Sequence, residues 1–223
     1  MTWTELFERA ADLDVDESDV RDALATRRAA DERLTADGQP VEPSRWRSGV
    51  ESTPSEEPES VAGEEAGRPE PSPGRVVADA DVLAADLLVG GAAREALDEL
   101  RRHSWTTLVA SDALLDDAAA VMTTLSGASL ASDWYATVVD WREPVEHPPE
   151  DHPALASAYQ GGAMHVLSFD EQLTSAAAGT TLKGRVELSV RTPRAFAMVF
   201  DAQRLYPTVV DGEYPGPDRD PRW

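Results

Sequence analysis

The sequence contains no cysteine and a single lysine, Lys183. Without thiols there can be no disulfide and no thiolate metal site, and the redox compartment stays open. Long hydrophobic runs are missing as well: none approaches the roughly 20 residues that a membrane span needs. No basic stretch followed by an apolar one opens the chain, so no secretory signal is read there. We expect a soluble, cytoplasmic protein that does not enter a membrane. Positive charge is scarce, with 20 Lys plus Arg against 42 Asp plus Glu and a formal net charge of −22. The acids are spread along the chain rather than gathered in a tail. Such a coat suits a halophile, because the Debye length falls to about 3 Å near 1 M salt and self-repulsion then costs little. At low salt the same coat repels nucleic acid and destabilises the fold.

What is present divides the chain into four. Residues 1–34 read as a helical segment: Thr2 and Glu5 fit a capping box, and Trp3, Leu6, Phe7 and Ala10 make one apolar stripe. A second helix starting near Ser18 carries Val20, Ala23 and Leu24. Two such helices rarely stand alone, so they should dock on the main domain, on a second copy in a homodimer, or on another protein. Residues 35–74 are rich in Pro, Glu, Ser and Gly and read as a disordered linker with Trp46 as its one large anchor. Residues 75–205 form the globular part, and 206–223 a C-terminal tail.

In the globular part, "RVVA" (75–78), "TTLVA" (106–110), "HVLS" (165–168) and "VELSV" (186–190) read as buried strands, with "TVVDW" (137–141) as a further one. Helical patterns cover 82–89, 92–103, 112–125, 152–160, 171–178 and 194–204. Strand alternating with helix implies a three-layer α/β/α fold around a mainly parallel sheet. In such a sheet the C-terminal strand ends share one edge, where ligands usually bind.

Acids follow the strands at that edge. Asp79 and Asp81 come after the first, Asp116 and Asp117 in the helix after the second, and Asp170 and Glu171 after "HVLS", while Asp151 opens the helix before it. Each also has the plainer reading of a helix cap, since Asp is a favoured N-cap. Helical geometry separates one pair. At 100° per residue Asp117 lies about 60° from Leu114, on the edge of the buried stripe, whereas Asp116 lies about 160° away and should face water.

Five stretches together resemble the PIN domain, a family of metal-dependent nucleases: "VVADADVLAADLL", "LVASDALLDD", "EDHPALASA", "GGAMHVLSFDEQL" and "VRTPRAF". The resemblance implies that Asp79, Asp117, Asp151 and Asp170 are the catalytic carboxylates and the ligands of Mg2+ or Mn2+. Asp81, Ser168 and Glu171 would support them, and Arg191 and Arg194 would contact substrate phosphate. It further implies endonucleolytic cleavage of single-stranded or structured RNA, and, through the N-terminal helices, an antitoxin or other protein partner. The chain departs from the family pattern in having Asp117 where Glu is usual, and Phe169 and Met164 where smaller or polar residues are usual.

The chemistry is coherent. Carboxylates converging within about 5 Å repel by a few kcal/mol per pair at an effective dielectric near 20, so they need a cation or a proton. All-oxygen ligands favour Mg2+ or Mn2+ over zinc. The four histidines, His103, His147, His152 and His165, show no ligand spacing. "DADVL" also resembles the nucleophile motif of haloacid-dehalogenase-type phosphatases, but these need a lysine before the last acidic loop, and Lys183 follows Asp170. The competing expectation is a PIN-like module that binds RNA or a protein without cleaving.

Overall fold

The computed structural model describes residues 1–36, 69–148, 151–175 and 188–223. Most of the stretch read as a linker, including Trp46, lies outside the described residues, as do Lys183 and positions 186–187. Five strands form one sheet: β1 (Ser72–Ala78), β2 (Thr107–Ser111), β3 (Glu143–Val145), β4 (Ala163–Leu167) and β5 (Ser189–Arg191). Among the described residues the helices are α1 (Trp3–Ala10), α2 (Glu17–Ala36), α3 (Ala80–Leu88), α4 (Gly91–Arg101), α5 (Asp112–Ser126), α6 (Ala128–Trp141), α7 (Pro153–Gly161), α8 (Glu171–Thr174), α9 (Pro193–Val199) and α10 (Ala202–Val209).

The strand order is β3-β2-β1-β4-β5 and every pairing is parallel. Helices flank the sheet in a three-layer α/β/α arrangement, the class expected from the alternation of elements. Strands covered on both faces cannot alternate polar and apolar residues, and Val76, Val77 and Ala78 are all buried. α7 lies so close over β2 that a Cβ at Gly161 would stand 2.3 Å from Val109 Cγ1. β1 begins at Ser72, inside the stretch read as linker.

One expected strand is a helix. Residues 137–141 form the last turn of α6. Leu130, Trp134 and Val138 are buried one above the other along it, and that stripe outweighs the β propensity of Val138 and Val139. The edge strand is β3, which follows directly. The single helix read over 194–204 is two, α9 and α10, with Asp201 capping the second.

The order reverses between β1 and β4: the chain runs outward through β2 and β3, then returns to the other side of β1. Open α/β sheets bind ligands at such a reversal, beyond the carboxyl ends of the strands. The register fixes what stands there. Ala78 pairs with Leu167, so Asp79 and Ser168 leave the sheet side by side. The Asp79 N–H donates to the Leu167 carbonyl at 2.8 Å, and the Ser168 N–H to the Arg191 carbonyl at 3.0 Å.

The N-terminal helices dock on this same chain. Thr2 and Glu5 form the capping box that starts α1, and Trp3, Leu6, Phe7 and Ala10 are buried in the common core. α1 packs on α6 and α3, and α2 on α5 and α3. Beneath α1, the buried Arg101 pairs with Asp86 and Asp98 and lies 3.9 Å from the ring centre of Trp3. The tail joins this network: Arg222 pairs with Asp98 at 2.5 Å and its carbonyl accepts from the Thr4 N–H at 3.1 Å. α3, enclosed by α1, α2, α4 and α5, is buried at every position, as a helix apolar all round should be. Among the described residues no helix is long and apolar enough to cross a membrane.

Candidate functional site

Asp79 ends β1 and caps α3. Its Oδ1 accepts from the Ala80 N–H at 2.8 Å, its Oδ2 accepts from Ser168 Oγ at 3.1 Å, and the side chain is wholly buried. Asp81, one residue into the same helix, is also buried. Its Oδ2 accepts from the Phe169 N–H at 3.0 Å and lies 3.4 Å from Ser168 Oγ, while its Oδ1 is buried with no partner. Ser168 has one hydroxyl proton for two carboxylates, and its Oγ accepts from the Asp170 N–H at 3.0 Å. Burial, then the charge of Asp79, holds the Asp81 carboxyl well above the usual carboxylate range. The site is short of positive charge or of protons.

Asp117 reaches the same place from α5. It is buried, as the helical geometry requires, and its carboxyl is raised, chiefly by burial. Asp116 on the other side is half-buried beside Tyr135, whose phenol is pushed up to about 12 by burial and then by the Asp116 charge.

The cation comes from α2. An Arg28 Nη donates to Asp79 Oδ1 at 2.8 Å, and the same guanidinium stands 3.7 Å from Asp117 Oδ2 through Nε. Arg27 adds a 3.5 Å ion pair to Asp117 Oδ1 and a 3.3 Å pair to Asp31 within its own helix. Thus Arg27 and Arg28, rather than Arg191 and Arg194, meet the acids. Arg191 donates through Nε to Ser189 at 2.9 Å, and Arg194 is exposed in the first turn of α9.

Asp151 does not join the cluster. It is exposed, and the residue capping α7 is His152, whose Nδ1 accepts from the Ala154 N–H at 3.3 Å. Pro153 at the first helical position was the readable signal, because a proline there makes the residue before it the cap. The His152 imidazole interacts with the charges of Asp79, Arg28, Asp170 and His147; burial lowers its pKa, and its Nε2 is buried without a partner. With Nδ1 accepting, Nε2 carries the proton and is a donor, so it is not a metal ligand in this state. Asp170 stands half-buried at the rim and caps α8, accepting from the Gln172 N–H at 2.7 Å; Glu171 is exposed in that first turn.

Among the described residues no three carboxylates or imidazoles are close enough together to hold a metal ion. Carboxylate oxygen is the donor type that Mg2+ and Mn2+ take, and here the cation that Asp79 and Asp117 face is the Arg28 guanidinium. What the structure shows is a buried acidic cluster capped by Arg28.

No curated protein and no solved structure matches the chain. The model of a family of unknown function, DUF7384, matches residues 70–222, and the chain belongs to that family.

Proposed function

We propose that this protein is a cytoplasmic, PIN-like, metal-dependent endoribonuclease. The observation that carries the reading is the buried Asp79–Asp81 pair at the β1/β4 reversal, which shares one serine hydroxyl and leaves Asp81 Oδ1 unpartnered. A buried carboxylate oxygen without a partner calls for an explanation, and a bound ion beside the Asp79–Asp81 pair supplies one. Asp79 and Asp117, which already share the Arg28 guanidinium, would hold Mg2+ or Mn2+ once Arg28 withdraws, with Asp170 closing in from the rim and Asp81 behind them. Such an ion lowers the pKa of a bound water and stabilises the leaving oxygen of a phosphodiester. The chain's own contributions are steric and electrostatic: Ser168 and the Phe169 N–H fix the two carboxylates, and the apolar wall of α3 keeps their surroundings dry.

A second reading, an RNA- or protein-binding module without cleavage, is favoured by one observation: His152 stands at the α7 cap, and Asp151 is turned to solvent. Thermal melting with Mn2+ in molar KCl, paired with cleavage of single-stranded RNA, separates the two. The nuclease reading expects Mn2+ to raise the melting temperature by mass action and Asp79→Asn to abolish the rise. It also expects Asp117→Asn and Asp170→Asn to stop cleavage while the fold persists. An inert protein with full Mn2+ stabilisation would favour the binding module.

A further inference from the structure

We infer that residues 25–36 of α2 form a strap across the acid pocket, held there by Arg27 and Arg28, and that a divalent cation must displace it to enter. The inference rests on the cation reading of the pocket and concerns its regulation.

The N-terminal segment is anchored unevenly. Trp3, Leu6, Phe7 and Ala10 of α1, and Val20 and Leu24 of α2, are buried in the common core. At about 1.5–3 kcal/mol for each large apolar side chain removed from water, these hold the hairpin firmly. Past Leu24 no described side chain of α2 is fully buried. Arg27 and Arg28 remain partly exposed, at 36% and 24% of the side chain, and the contacts they make there are ionic. The Arg27 pairs lie at the solvent edge, where an ion pair contributes little and is screened by salt. Arg28 meets a wholly buried carboxylate, so its withdrawal requires another cation at Asp79; with one in place, the last three turns can lift while α1 and the start of α2 stay docked.

Position makes the strap a gate. The Arg28 guanidinium touches Asp79 and approaches Asp117, the two acids on different elements that an ion would have to bridge. One pocket cannot hold both cations, so arginine and metal compete. Asp79 and Asp117 have a cationic partner when the strap is closed and would exchange it for the ion when it opens. The strap also lies outside residues 70–222, the part of the chain that matches the family. The acid pocket belongs to the matched part, and the arginines that close it do not.

Competition of this kind scales the apparent affinity by the open fraction. A strap closed about ten to one would weaken Mn2+ binding about tenfold, within the usual range of intramolecular coupling. The test measures Mn2+ affinity by calorimetry on the full chain in molar KCl, for the wild type and for the double variant Arg27→Gln, Arg28→Gln. We expect the variant to bind about tenfold or more tightly. Hydrogen exchange on the wild type provides a readout that needs no variant. Mn2+ should accelerate exchange in residues 25–36 and leave residues 3–24 protected. Equal affinity in the two proteins, or unchanged exchange in 25–36 when Mn2+ is bound, would show the arginines to be a static clamp and overturn the gate alone. Absence of Mn2+ binding in both proteins would overturn the cation reading, and the gate with it.

Discussion

Replacing Asp81 by asparagine should stabilise this protein at neutral pH in the absence of divalent ions. In the folded chain the Asp81 carboxyl is held above its usual range by burial first and by the Asp79 charge second. The unfolded chain releases that proton near pH ~3.9, whereas the folded chain keeps it to higher pH. Stability from this group is therefore fully present below about pH 4 and is lost as pH rises toward the folded pKa, at up to about 1.4 kcal/mol per pH unit. Asparagine keeps an acceptor for the Phe169 N–H and carries no charge to bury. It should recover roughly 1–3 kcal/mol at pH 7, the cost of an uncompensated buried polar group. For a chain of this length each kcal/mol moves the melting temperature by about 2–4 °C. Thermal unfolding in molar KCl between pH 4 and 8, without divalent ions, measures it. The gap between variant and wild type should open from near zero as pH rises. The raised carboxyls of Asp86 and Asp117 give both proteins a slope of the same sign and cancel in the difference. A variant less stable than the wild type at pH 7, by an amount independent of pH, would refute the argument.

Three other outcomes follow from the contacts. Leu6→Ala, which empties a fully buried position on α1, should cost about 2–5 kcal/mol in urea melts, because the N-terminal hairpin shares the core of the sheet. Gly161→Ala should cost about 1–3 kcal/mol by the same measurement, since its Cβ would collide with Val109. Asp151→Asn should leave Mn2+ affinity unchanged by calorimetry, while Asp170→Asn should lower it several-fold, because Asp151 is exposed and Asp170 sits beside Ser168.

Several of these features were legible in the sequence for identifiable reasons. The capping box of Thr2 and Glu5, the apolar stripe of α1 and the burial of Asp117 all follow from a local period and stand in the structure as the period requires, whereas Asp116, expected to face water, is half-buried beside Tyr135 because α6 packs on α5. Strand alternating with helix was enough for the fold class. Residues 137–141 read as a strand because Val138 and Val139 are adjacent β-branched residues, whereas the deciding signal, the buried stripe from Leu130 to Val138, begins two turns earlier. Asp151 reads as the opening of α7, but Pro153 at the first helical position makes His152 the cap. Arg28 carried no signal at all. It meets Asp79 across 51 residues of chain, and "ATRRAADE" reads as an ordinary solvated helix face. A charge that serves a distant pocket looks the same, in sequence, as a charge that serves solubility.

The central claim is that the carboxylates at the β1/β4 reversal bind a divalent ion and cut RNA once Arg28 withdraws. The most direct measurement is the rate of single-stranded RNA cleavage with Mn2+ in molar KCl by the Arg27→Gln, Arg28→Gln variant, with and without Asp79→Asn added. The account predicts cleavage faster than wild type by about the factor through which Mn2+ binding tightens, and its complete loss when Asp79→Asn is added. Cleavage that survives Asp79→Asn, or RNA left intact by the variant while Mn2+ is bound, would contradict it.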